Sequence, residues 1–167
     1  MAGNYDILIA KDTYTDELLF ALPRLNYKVT SCRLAETSDF LSENGVRLIL
    51  LECGINVHRG LSVLEEVKSQ WPSIPVVFIA GHSSDDMVIE AFRSGAIDFL
   101  KKPVDIGYLR ELISGLFRTL SNPGGKRMRQ RYGQINVSDR LTRVAPGMPA
   151  GVVKALIYME EHFAENI

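Results

Sequence analysis

The chain holds two cysteines, three histidines and one tryptophan in 167 residues. Each scarcity closes off a class of chemistry. Cys32 and Cys53 stand apart without metal-ligand spacing, so neither a zinc site nor a disulfide framework is expected. The histidines, His58, His82 and His162, are scattered and form no ligand cluster. No apolar stretch reaches the roughly 18 residues that a membrane span needs. The N-terminus, "MAGNYDILIAKD", carries an acid inside its apolar run and lacks a basic lead, unlike a secretory leader. Nor is there an excess of charge of one sign. With 19 basic and 20 acidic residues the net charge is -1, which gives no whole-chain argument for binding nucleic acid or a membrane. A reducing, cytoplasmic setting and no membrane contact are expected.

What the chain does have is a rhythm. Apolar runs recur at 5–10 ("YDILIA"), 46–51 ("VRLILL"), 75–80 ("PVVFIA") and 96–100 ("AIDFL"), with a more polar run at 28–33 ("KVTSCR"). Helical spacing fills the gaps: 16–25, interrupted by Pro23, then 35–43, 61–71, 85–95 and 106–120. The acids Asp85 and Asp86 suit a helix start, and Gly95 suits a helix stop. Continuous branched runs mark strands covered on both faces. Strands alternating with helices give a parallel sheet with right-handed crossovers. The expected fold is α/β: a five-stranded, doubly wound parallel sheet of the flavodoxin type, strand order 2-1-3-4-5.

Composition changes near residue 120. "SNPGGKRMRQRYGQ" (121–134) combines proline, glycines and basic residues, and Pro146 and Pro149 continue the pattern, which is a linker signature. Residues 152–167, "VVKALIYMEEHFAENI", are amphipathic at helical spacing. A lone amphipathic helix cannot bury its own face. The expected organisation is a domain over 1–120, a linker over 121–150 and the start of a second, helical domain over 151–167.

Ligands of open parallel sheets bind beyond the carboxyl ends of the strands, where the strand order reverses. Lys11 and Asp12 follow the first strand and Glu52 ends the third, with Gly54 close behind. Ala80 ends the fourth, and Lys101, Lys102 and Pro103 follow the fifth. Acids and lysines therefore converge on one crevice, without a nucleophile–base pair that would mark a small enzyme.

Residues 5 to about 120 resemble the receiver domain of two-component response regulators. The resemblance rests on "DILIAKD" (6–12), "LILLECGINVHRG" (48–60), "IPVVFIAGHSSDD" (74–86) and "GAIDFLKKP" (95–103) in order. It places Glu52 at the phosphoacceptor aspartate and Ala80 at the hydroxyl residue that closes over the phosphoryl group. Phe99 falls at the aromatic switch position and Lys102–Pro103 at the Lys-Pro pair, and Gly60 takes the place of a loop glycine. Of the two acids expected after the first strand, Lys11 replaces one and Asp12 remains. The resemblance also implies a cis bond before Pro103 and a histidine kinase as phosphodonor. If Mg²⁺ binds, its ligands are Asp12, Glu52 and the Gly54 carbonyl.

The departures bear on the chemistry. Mg²⁺ wants near-octahedral oxygens at about 2.0–2.1 Å, and Lys11 brings a cation to that place. Glu52 is one methylene longer than aspartate, and a shift of roughly an ångström can cost about a hundredfold in rate. Ala80 lacks a hydrogen bond worth about 1 kcal/mol. The expectation is a pseudo-receiver with no cofactor, in which Lys11 and Lys102 balance Asp12 and Glu52. It is regulatory, not enzymatic, and acts through protein contacts, with homodimerisation on the 85–120 face. Glu52 as a partial mimic of a phosphorylated aspartate is a variant of this reading. The rivals are a working phosphoacceptor receiver of a phosphorelay and a small-ligand sensor.

Lys154, Ala155, Leu156, Tyr158, Met159, Glu160, Glu161 and Phe163 resemble the opening helix of an AraC-type DNA-binding domain. That resemblance implies a transcription regulator that contacts DNA only through helix-turn-helix units beyond Ile167.

Overall fold

The computed structural model describes residues 3–12, 17–22, 26–54 and 56–120. The expected linker and the 151–167 helix lie outside them. The chain divides into two compact units, Met1–Arg110 and Glu111–Ile167.

In the first unit, β1 (Asn4–Lys11), β2 (Val29–Arg33), β3 (Gly45–Cys53), β4 (Val76–Ala80) and β5 (Asp98–Lys101) form one parallel sheet. Its order is β2-β1-β3-β4-β5, as expected. The connections are α1 (Glu17–Ala21), α2 (Thr37–Glu43), α3 (Val57–Gln70) and α4 (Asp85–Arg93); α5 (Ile106–Leu120) crosses from the first unit into the second. All four described residues of β1 from Ile7 to Ala10 are buried, and all of β4 is. That is the signature of strands covered on both faces.

The register shows which helix covers which face. Partners on neighbouring parallel strands share a face, so Ala10, Leu51, Phe78 and Phe99 form one row. Lys11, Glu52, Ile79 and Leu100 form a row on the other. Gly60 of α3 faces Cys53 and Phe78 on the first side; a β-carbon there would lie 2.9 Å from Phe78 Cζ and collide with Cys53 Sγ. Tyr108, in the first turns of α5, donates its hydroxyl to Asp98 Oδ2 at 2.7 Å on the second side. The sheet is therefore wound on both faces, the flavodoxin-like arrangement.

Several boundaries differ from the sequence expectation. The helix read over 61–71 begins at Val57, because the Asn56 side chain accepts the Arg59 amide and caps it. Gly60 is consequently a helical residue rather than a loop glycine. It is tolerated there, despite the usual cost of helical glycine, because no side chain fits between α3 and the sheet. The helix expected over 16–25 spans only Glu17–Ala21; Pro23 disfavours the α conformation at Leu22. Gly95 stops α4 as expected, at φ 96°, while the Ser84 side chain caps its start by accepting the Met87 amide.

Candidate functional site at the strand ends

The carboxyl ends of β1, β3, β4 and β5 bring the charged residues together. Glu52 is the last but one residue of β3, and its apolar neighbours Ile79 and Leu100 follow from the shared face. It is only 3% exposed. An isolated buried carboxylate is costly, and Glu52 is not isolated: its Oε1 forms an ion pair and hydrogen bond with Lys102 Nζ. Lys102 keeps 26% of its side chain exposed. The bond preceding Pro103 is cis.

Asp12 follows β1. Its Oδ1 accepts the Gly54 amide at 2.6 Å, and its own amide donates to the Glu52 carbonyl at 3.3 Å. The Lys102 amide donates to the Ala80 carbonyl at 2.9 Å. Lys11 stands in register with Glu52 on the adjoining strand, so both point to the same face, about 4.8 Å apart along the sheet. Arg33 on β2 continues that row. Glu52 thus pairs with the Lys102 ammonium, and Lys11 is its partner in the strand register.

Ala80 is fully buried and brings no hydroxyl to the crevice. Phe99 is fully buried too, stacked on Phe78 with ring centroids 5.5 Å apart and planes at 19°. His82 is exposed in the loop after β4, and Asp85 and Asp86 are exposed on the first turn of α4. Cys53 lies under the site, and burial, reinforced by the charges of Asp12 and Glu52, pushes its thiol up to about 12. Burial likewise raises Cys32, on edge strand β2, to about 11.

Sequence reasoning passed over Asp98. Its carboxylate, 1% exposed, accepts the Phe99 amide at 2.9 Å through Oδ1 and the Tyr108 hydroxyl through Oδ2. The signal was present: an acid inside the apolar run "AIDFL" demands buried partners.

The strand ends offer few carboxylate oxygens to a hard divalent cation, which prefers six. Asp12 Oδ1 and Glu52 Oε1 already accept N–H donors, and Lys11 stands where a third carboxylate would complete the oxygen shell. Among the described residues no three of His, Cys, Asp and Glu come together as a metal site.

Comparison with known proteins agrees with this architecture. The model of the response regulator receiver domain family matches residues 12–114. The response regulator protein PilR of Pseudomonas aeruginosa is 33% identical over 136 residues, which cover 80% of this chain and 29% of PilR. The transcriptional regulatory protein ZraR of Klebsiella oxytoca is 31% identical over 154 residues, covering 84% of this chain and 35% of ZraR. The chain spans about a third of the length of these relatives. Among solved structures, the receiver domain of NtrX from Brucella abortus superposes with a TM-score of 0.60 at 27% identity, over 68% of this chain and 99% of that one. The AraC-type output expected from residues 154–163 finds no support in PilR or ZraR, and those residues lie outside the described ones. No helix among the described residues is long and apolar enough to cross a membrane.

Proposed function

Because this chain belongs to the response regulator receiver domain family, we propose that it is the regulatory module of a transcriptional response regulator whose phosphoacceptor position no longer accepts phosphate. In this reading it is a pseudo-receiver: non-enzymatic, metal-free, cytoplasmic and active through protein contacts. The observation that carries this is the state of Glu52. A phosphoacceptor carboxylate must present an oxygen to the donor with its charge balanced by a metal. Glu52 is buried and turned onto Lys102, is one methylene too long, and has Ala80 where a hydroxyl would hold the phosphoryl oxygen. The three departures act on one step, so their costs multiply.

Protein contacts then supply the output. A homodimer through the 85–120 face is the proposed form, with DNA contacted only by a separate output domain. The finer reading of that output as AraC-type rests solely on the pattern at Lys154–Phe163. A histidine kinase is a partner in the rival reading, where Glu52 is phosphorylated.

Intact-mass spectrometry after incubation with acetyl phosphate and Mg²⁺ separates the two. The wild-type chain should gain no phosphoryl group. The triple variant Lys11→Asp, Glu52→Asp, Ala80→Thr restores the second acid, the side-chain length and the hydroxyl, and should gain one. A phosphoryl adduct on wild-type Glu52 would refute the proposal.

A further inference from the structure

We propose that Lys68 is a modification site: its amine takes an acyl group from an acyl thioester, and the acylated side chain then releases the turn that leads into β4. The site lies at the amino ends of the strands, opposite to Glu52, and does not depend on whether Glu52 accepts phosphate.

Lys68 stands in the last turn of α3. Its Nζ donates to the Ile74 carbonyl at 2.8 Å and to the Pro72 carbonyl at 3.2 Å. These bonds close the turn between α3 and β4, where the Ile74 amide also donates to the Trp71 carbonyl at 3.2 Å. The stem of Lys68 runs beside Gly95, the glycine that stops α4. A β-carbon at Gly95 would lie 3.1 Å from both Cγ and Cε of Lys68. Two carbonyls thus hold the nitrogen and a close backbone holds the stem.

No carboxylate balances this nitrogen. Glu65 and Glu66 of the same helix are engaged elsewhere, Glu65 accepting the Ser94 hydroxyl at 3.1 Å and Glu66 the Ser38 hydroxyl at 2.5 Å. Among the described residues Lys68 forms no ion pair. The carboxyl end of α3 favours a cation, yet burial lowers the Lys68 amine below its ordinary value. A neutral amine keeps two N–H donors, enough for both carbonyls, and its lone pair takes the remaining tetrahedral direction. The side chain is only half-buried, which leaves a path for an acyl donor.

The lone pair attacks the thioester carbonyl carbon. The C–N bond forms, the C–S bond breaks, and the departing thiolate takes one amine proton. The resulting amide keeps a single N–H, so one of the two carbonyls loses its donor. The loosened turn carries the Pro75 carbonyl, which accepts the Ile49 amide of β3 at 3.0 Å. Acylation therefore reaches the sheet where β4 enters it.

Incubating the full chain with acetyl-CoA, followed by peptide mass spectrometry, compares the lysines within one sample. Lys68 should acetylate several-fold faster than exposed Lys101. In the acetylated chain, amide hydrogen exchange should rise several-fold across 71–76 and stay unchanged across 29–33. Lys68→Gln, neutral like the product, should reproduce that rise, and Lys68→Arg, which keeps the charge and the donors, should show less of it. Acetylation of Lys68 no faster than that of Lys101 would overturn the site. Unaltered exchange across 71–76 in both the acetylated chain and Lys68→Gln would overturn the release. Neither result bears on Glu52, whose phosphorylation is read separately by intact mass.

Discussion

The amino and carboxyl ends of the strands, the two edges compared below, each carry a carboxylate–cation pair, in opposite circumstances. At the amino edge, Asp6 on β1 accepts Arg47 of β3 at 3.0 Å and the Lys28 amide at 2.9 Å, with Arg47 46% exposed and Asp6 26% exposed. Lys28 also lies 4.6 Å above the Tyr5 ring. At the carboxyl edge, Glu52 is buried and held by Lys102. Water reaches both partners of the first pair but only the lysine of the second. An exposed pair contributes about 0.2–1 kcal/mol, whereas removing one partner of a buried pair costs about 3–5 kcal/mol because the other charge is stranded. The amino edge therefore uses charge to close the end of a sheet. The carboxyl end keeps one carboxylate where it is costly to hold.

The contrast is broken most sharply at Lys102. Lys102→Met leaves the Glu52 carboxylate buried without that cation, and urea unfolding should show a loss of about 3–5 kcal/mol. Glu52→Gln should cost far less, about 1 kcal/mol, because the amide still accepts a hydrogen bond and the partly exposed Lys102 can hydrate. Equal losses from the two variants would mean that burial of the carboxylate is not what sets the cost. At the amino edge, Asp6→Asn should cost at most about 1 kcal/mol, and the loss should shrink further in high salt. A loss as large as that of Lys102→Met would erase the distinction between the edges.

The thiols sharpen the comparison by reporting burial directly. Both cysteines have thiols raised above the ordinary value of 9.0, Cys32 to about 11 and Cys53 to about 12. At pH 8 neither should form appreciable thiolate, and iodoacetamide should modify half-exposed Cys32 before Cys53, beneath the site. A raised thiol favours the folded state's protonated form. Its contribution is full below about pH 9 and is lost as pH climbs toward about 11 for Cys32 and 12 for Cys53. Rapid alkylation of Cys53 in the folded chain would show that the carboxyl edge is open.

Much of this was legible in the sequence, and the exceptions have physical reasons. Strand alternation and the runs "VRLILL" and "PVVFIA" carry the sheet order, since parallel strands buried on both faces allow few topologies. Lys11, Asp12, Glu52 and Lys102 were legible as a group, because strand-end positions converge in this class of fold. What they do to one another was not. That Glu52 turns onto Lys102, and that Asp12 holds the Gly54 amide, depend on side-chain direction and loop path, which no linear pattern carries. The role of Gly60 was misplaced because the resemblance set it in a loop, while the steric demand of Cys53 and Phe78 appears only when α3 meets the sheet. Asp98 and Tyr108, ten residues apart, meet only once the chain has turned back after β5.

The central claim is that the chain's own ammonium groups hold the place of a divalent ion at the strand ends. Amide chemical shifts of Asp12, Glu52 and Gly54 during a Mg²⁺ titration are the direct measure. The account predicts no saturable shift of these amides at millimolar Mg²⁺, with the Lys102 side chain still paired to Glu52. Saturable shifts of all three amides, with Lys102 released, would contradict it.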